Sequence, residues 1–138
     1  GGFNPHHYCL PVLKTSKDQE AVIAAALSGN SCFFAGTDSA PHPQIAKHSG
    51  HAPAGIYNAP LALALYATLF DQHGALDLLE NFCARFGADF YRLPLNTTRI
   101  ELTRTPWTIP ECYPLGNGHV VPMAAGTPLE WRATLLED

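Results

Sequence analysis

The sequence predicts an α/β chain: a strand–helix–strand unit first, then a long loop, two more helices and a small β appendage. Three observations predict it. A helix-start signal, Ser16-Lys17-Asp18-Gln19, lies between two short apolar runs, Tyr8-Cys9-Leu10 and Cys32-Phe33-Phe34-Ala35. A run rich in Ala and Leu follows at 61–70, residues that favour helix, and a further helix is expected over about 76–86. From Leu95 onward apolar and polar residues alternate, as they do in half-buried strands.

Each element has its own local reason. Pro11 closes the apolar stretch Tyr8-Cys9-Leu10, which reads as a strand end. In the capping box the Ser16 hydroxyl accepts from the backbone of residue 19 and Gln19 reaches back. The helix it opens runs through Ala21-Val22-Ile23-Ala24-Ala25-Ala26-Leu27, and Gly29 supplies the stop because it tolerates a left-handed conformation. Strand, helix and strand within about thirty residues form a parallel, right-handed crossover. Residues 37–58 form a long loop with Pro41, Pro43 and Pro53, and a loop that long inside a compact domain is usually functional. Asn58 is expected to cap the next helix, with Pro60 in its first turn. That helix reaches Phe70; Gly74 breaks the chain, and a further helix spans about 76–86. Ile100-Glu101-Leu102-Thr103, Leu129-Glu130-Trp131-Arg132 and His119-Val120-Val121-Pro122 are the tail's candidate strands.

Composition narrows the function classes. Charged residues make up 14% of the chain, against about a quarter in ordinary domains. The apolar fraction is 46%. Few charges and many apolar residues predict surfaces covered by a missing front portion or an oligomer partner. The net charge of -4 provides no basic footprint for nucleic acid. No apolar stretch reaches the roughly 18 residues of a membrane span. The four cysteines, Cys9, Cys32, Cys83 and Cys112, form no C-x-x-C pair, so they read as reduced structural thiols of a reducing compartment. The chain does not begin with Met, its only Met being Met123, and it is expected to be the back end of a larger enzyme.

Gly36-Thr37-Asp38-Ser39-Ala40-Pro41-His42 carries the chemistry. An acid at the end of a buried strand, with an imidazole four residues on, is poor core material. Asp38 has three readings: a metal ligand or proton shuttle, a turn residue serving local N–H groups, or a helix cap. His42 reads as an anion grip or as a surface loop histidine. His48 and His51 lie three apart, without the third and fourth ligands a zinc site needs. The adjacent pair His6-His7 would point to opposite faces of a strand.

These motifs carry a resemblance. Tyr8-Cys9-Leu10-Pro11-Val12-Leu13-Lys14, the heptapeptide from Gly36 to His42 and Tyr57-Asn58-Ala59-Pro60 resemble the C-terminal part of dihydroorotase, of the shorter bacterial and fungal type. The likeness continues through Ala67-Thr68-Leu69-Phe70, Phe90-Tyr91-Arg92-Leu93-Pro94, Val121-Pro122 and Leu129-Glu130-Trp131. It implies the C-terminal portion of a TIM (β/α)8 barrel of the amidohydrolase superfamily: strands 7 and 8 with their helices over 1–94, and a β-rich extension over 95–138. It implies a cytoplasmic, homodimeric zinc hydrolase that interconverts N-carbamoyl-L-aspartate and L-dihydroorotate in pyrimidine synthesis. Asp38 would be a metal ligand and the catalytic base and acid, His42 would hold the substrate carboxylate, and Leu10 and Ala54 would touch the ring largely through backbone groups. The loop Lys47-His48-Ser49-Gly50-His51-Ala52-Pro53-Ala54-Gly55 departs from the cysteine-bearing pattern of the family, so Ala54 is placed by spacing. The resemblance further implies two Zn2+ per complete site, held mostly by residues upstream of this chain. The isolated chain is therefore expected to be inactive, with weak or no zinc binding. Rival readings are a related cyclic amidase of the hydantoinase or allantoinase kind, and a non-catalytic half that binds a partner chain.

Overall fold

The computed structural model describes residues 4–12 and 15–136. Its elements in chain order are α1 (Ser16–Ala26), α2 (Gln44–Lys47), α3 (Ala62–Gln72), α4 (Phe86–Tyr91), β1 (Ile100–Thr108), β2 (Tyr113–Leu115), β3 (Gly118–Val120) and β4 (Pro128–Leu135). A 3-10 turn at Leu76–Leu78 and a π-helical turn at Asn81–Arg85 lead into α4. Strand β1 pairs with β4, and β2 with β3. The chain is thus mixed α/β, with its helices ahead of its strands. No helix among the described residues is long and apolar enough to cross a membrane.

By packing, the chain divides into two compact units. One comprises Gly1–Val12, Thr37–Ala62 and Trp107–Leu129; the other comprises Leu13–Gly36, Leu63–Pro106 and Glu130–Asp138.

In the second unit α1 starts one residue earlier than expected. Thr15, not Ser16, is the cap: its hydroxyl accepts from Asp18 N–H, while the Asp18 carboxylate accepts from Thr15 N–H at 2.9 Å and from its hydroxyl at 2.7 Å. A carboxylate accepts more strongly than the Gln19 amide and sets negative charge at the positive end of the helix dipole, so Asp18 wins the register. Helix α3 buries Ala64, Ala67 and Phe70, whose three-residue spacing lines one face. The unit's core joins Ala67 and Phe70 to Leu79 and Phe82, with the Phe70 and Phe82 rings 5.3 Å apart. Helix is present over most of the expected 76–86 stretch, but not as one regular α-helix. Phe82 C=O accepts from Ala35 N–H at 2.9 Å. That carbonyl belongs to the π-helical turn Asn81–Arg85, a local widening of the kind found inside helices.

The two front strands are not formed: neither 8–10 nor 32–35 carries a strand ladder. Apolar runs become strands only when an extended neighbour pairs with them. Ala35 N–H pairs with a helical carbonyl instead, and Tyr8 C=O accepts from Gly55 N–H at 2.9 Å. The crossover predicted from spacing is therefore represented only by its helix.

The first unit is built on a different core: Leu61, Ile109, Val120 and Leu129 are buried. The β2–β3 hairpin, of which only the β3 part was expected, aligns Tyr113 with Val120, Pro114 with His119 and Leu115 with Gly118. Its two-residue turn begins at Gly116, with φ +56°, a value that a hairpin turn of this length demands and Gly meets without strain. Tyr57 bridges Pro122, and Met123 N–H donates to Tyr57 C=O at 2.7 Å. These contacts fix the far end of the 37–58 loop.

Candidate active site

Three stretches of the first unit converge on one open cleft of about 340 Å³, lined by Leu10, Asp38, Ala54 and Asn58 among others. Each stretch is held by backbone bonds across it. Gly55 N–H donates to Tyr8 C=O at 2.9 Å, and Ala40 N–H to Ile56 C=O at 3.0 Å. The loop is thereby laid against both the 8–12 segment and the 37–42 segment.

Asp38 presents an exposed carboxylate at the cleft. Its backbone sits at φ +44°, in the left-handed region that Asp enters more readily than most residues. Asn58 holds the turn from both sides. Its side-chain Nδ2 donates to Thr37 C=O at 2.9 Å, while the backbone N–H groups of Asn58 and Ala59 donate to Ser39 Oγ at 3.1 and 3.0 Å. This replaces the capping role expected of the Asn58 side chain: α3 begins later, at Ala62, and the amide reaches back to the Asp38 turn instead. Asn58 Oδ1 is buried without a hydrogen-bond partner among the described residues.

His42 reaches the same loop. Its Nε2 lies 3.0 Å from Ala54 C=O. A carbonyl only accepts, so this bond requires the proton on Nε2 and leaves Nδ1 to face other groups. Gly55 makes the approach possible: a Cβ there would lie 2.8 Å from both Ala40 Cβ and Ala40 C=O and 2.9 Å from His42 Nε2, at φ +144°. Leu10, Asp38 and Ala54 thus line one cleft, whereas His42 does not line it and shares a separate small recess with Gly55 and Lys47. Leu10 is 61% exposed, and the Leu10–Pro11 bond is cis.

Two features were not foreseen. Lys47 is buried, and its ammonium donates to three backbone carbonyls, two of this loop and that of Tyr8; burial lowers its pKa below the usual lysine value. Apart from Asp38 it is the loop's only charged residue between 37 and 58, which was the available signal. Moreover, His6 pairs with His48, their Nε2 atoms 2.9 Å apart, rather than with His7 or His48 with His51. One ring must donate and the other accept, so at least one is neutral there. The His6 pKa is lowered, by burial first and then by the charges of His48, Lys47 and His7.

A zinc centre needs three or four protein ligands. Among the described residues no three His, Cys, Asp or Glu side chains come together. Asp38 supplies one carboxylate, so these residues do not fit a zinc centre by themselves.

No family model matches the chain. It is 58% identical over 132 residues to the dihydroorotase of Coxiella burnetii, a match that covers 96% of this chain and 38% of that protein. Against the mitochondrial dihydroorotase of Arabidopsis thaliana the identity is 51%, over 96% of this chain and 35% of that protein. The crystal structure of Saccharomyces cerevisiae dihydroorotase in complex with 5-fluoroorotic acid superposes with a TM-score of 0.91 at 32% identity, over 97% of this chain and 38% of that one. Dihydroorotase from Campylobacter jejuni gives 0.84 at 32% identity, over 97% of this chain and 39% of that one. The chain thus spans less than two-fifths of the length of these relatives, and over that span it is similar to the C-terminal part of dihydroorotases.

Proposed function

We propose that this chain serves as part of a dihydroorotase, a cyclic amide hydrolase that interconverts L-dihydroorotate and N-carbamoyl-L-aspartate in pyrimidine synthesis. The observation that carries the reading is 58% identity to a dihydroorotase together with an exposed aspartate on a cleft shared with Leu10 and Ala54. In this reading Asp38 takes a proton from the attacking water and returns it to the ring nitrogen as the amide C–N bond breaks. His42 keeps Nε2–H on Ala54 C=O and, when cationic, would hold the substrate carboxylate through its other nitrogen and so orient the ring. The backbones of Leu10 and Ala54 form the walls that the ring contacts.

Zinc is the metal we assign to the complete enzyme, with Asp38 as one ligand and the rest supplied from outside this chain. When bound, such a metal acidifies water toward hydroxide at neutral pH. We assign residues 1–94 to the last two strand-and-helix units of a TIM barrel, and 95–138 to an extension. A homodimer in the cytoplasm completes the assignment; the four cysteines, none of them disulfide-bonded, support a reducing compartment.

The test is a chimera in which these residues replace the matched segment of the Coxiella burnetii dihydroorotase. Loss of dihydroorotate absorbance in the ultraviolet, with no turnover of hydantoin or allantoin, is the expected result. A folded, zinc-loaded chimera that turns over hydantoin or allantoin but not dihydroorotate would overturn the reading.

A further inference from the structure

Lys47 is the single charged side chain fully buried among the described residues, at 3% exposure. Its Nζ donates to Gly55 C=O at 2.8 Å, Pro53 C=O at 2.9 Å and Tyr8 C=O at 3.2 Å. An ammonium has three N–H donors, so three carbonyls saturate it and no donor is left for a ligand. Burying a cation costs desolvation, and a Met or Leu would fill the same space without that cost. What only the cation does is draw three carbonyls to one point.

The identity of those carbonyls matters. Pro53 and Gly55 flank Ala54 on either side, and Tyr8 lies two residues before Leu10. Gly55 N–H closes the same arrangement by donating to Tyr8 C=O at 2.9 Å. His42 in turn hangs on Ala54 C=O at 3.0 Å. One ammonium therefore ties the segment bearing Leu10 to the turn bearing Ala54, and through that turn sets the position of the His42 ring. Asp38 is held separately, through Asn58 and Ser39.

We infer that Lys47 is a positioning residue of the candidate site, a clamp whose ammonium fixes the spacing between the Leu10 and Ala54 segments and the placement of His42. The inference rests on reading Leu10, His42 and Ala54 as substrate-binding groups. It follows that Lys47 acts on substrate binding more than on the proton transfer at Asp38.

The experiment uses the Coxiella chimera with Lys47→Met and Lys47→Ala. In Lys47→Met, amide hydrogen exchange at Gly55 is expected to accelerate about tenfold or more once its carbonyl cluster loses the ammonium, while exchange in α3 stays as in the parent. The KM for dihydroorotate rises about tenfold, with kcat within about threefold. In Lys47→Ala, propylammonium, but not sodium at equal ionic strength, restores KM by refilling the place of the missing side chain. Unchanged exchange at Gly55 overturns the clamp, as does faster exchange spread equally through α3, which would mark a general loss of stability. Unchanged KM in an active chimera overturns its link to binding. Should the parent chimera lack dihydroorotase activity, the functional reading fails, and exchange at Gly55 still decides the clamp.

Discussion

Gly55→Ala concentrates the structural argument into one methyl group. The new Cβ would sit 2.8 Å from Ala40 Cβ, against the roughly 3.5–4.0 Å of a relaxed carbon–carbon contact. It would also meet Ala40 C=O at 2.8 Å and His42 Nε2 at 2.9 Å, and it would place a side chain at φ +144°. Strain of that backbone region costs about 1–3 kcal/mol, and overpacking adds about 1–3 kcal/mol. The total is about 2–6 kcal/mol if the site holds its shape. Because one contact is His42 Nε2, relaxation pushes the ring off Ala54 C=O, so binding suffers along with stability. In the chimera, guanidinium denaturation should show a large downward shift of the midpoint. The kcat/KM for dihydroorotate should fall about tenfold or more, each tenfold being about 1.4 kcal/mol. Gly50→Ala is the control: its Cβ meets nothing within 4 Å, and it should stay within about 0.5 kcal/mol of the parent. A Gly55→Ala protein that matches the Gly50→Ala control in both measurements would refute the packing described around His42.

Two further predictions concern protonation. Burial pushes the Cys83 thiol up to about 11, so at about pH 8 its alkylation, read by peptide mapping, should be roughly two orders of magnitude slower than in the denatured protein from thiolate fraction alone. The neutral thiol stabilises the fold fully below the ordinary thiol pKa of about 8.5, and that contribution should be lost as pH rises toward the folded value; Cys83→Ala should flatten stability across this range. His6 behaves in the opposite sense, its folded pKa being lowered from 6.5. A base so shifted binds fewer protons when folded, so stability is full above about pH 6.5 and declines below it. His6→Phe should lessen the loss of denaturation midpoint between about pH 7.5 and about pH 5.5; an identical loss in the variant would count against the His6–His48 contact.

The readable part of this fold was its local chemistry. Helix α1, the α3 run to Phe70 and the long strands β1 and β4 follow from capping groups, propensity and alternation, which act within a few residues. The unreadable part depended on partners distant in sequence. Apolar runs at 8–10 and 32–35 look like strands, yet Ala35 N–H goes to Phe82 C=O and Tyr8 C=O to Gly55 N–H. Between Ser16 and Thr15 the cap was decided by which acceptor, Gln19 or Asp18, is stronger. Pro114 concealed β2, although Gly116-Asn117 carried the turn signal. At the site, Asp38 and His42 stood out because both bear chemistry within one heptapeptide. Lys47 and Asn58 did not, because a lone loop lysine reads as solvated and an Asn before a helix reads as a cap. Their contacts, to residues 8, 53 and 55 and to Thr37, are made only by the folded loop.

In the proposed reaction Asp38 carries the proton in ring opening and closure. The most direct measurement is the rate of dihydroorotate loss by the chimera with Asp38 beside the chimera with Asp38→Asn, at equal zinc content and equal thermal stability. The expected loss in kcat is about 10²–10⁴-fold, the range of a positioned general acid–base group. An Asp38→Asn chimera with kcat within a few-fold of the parent would contradict it.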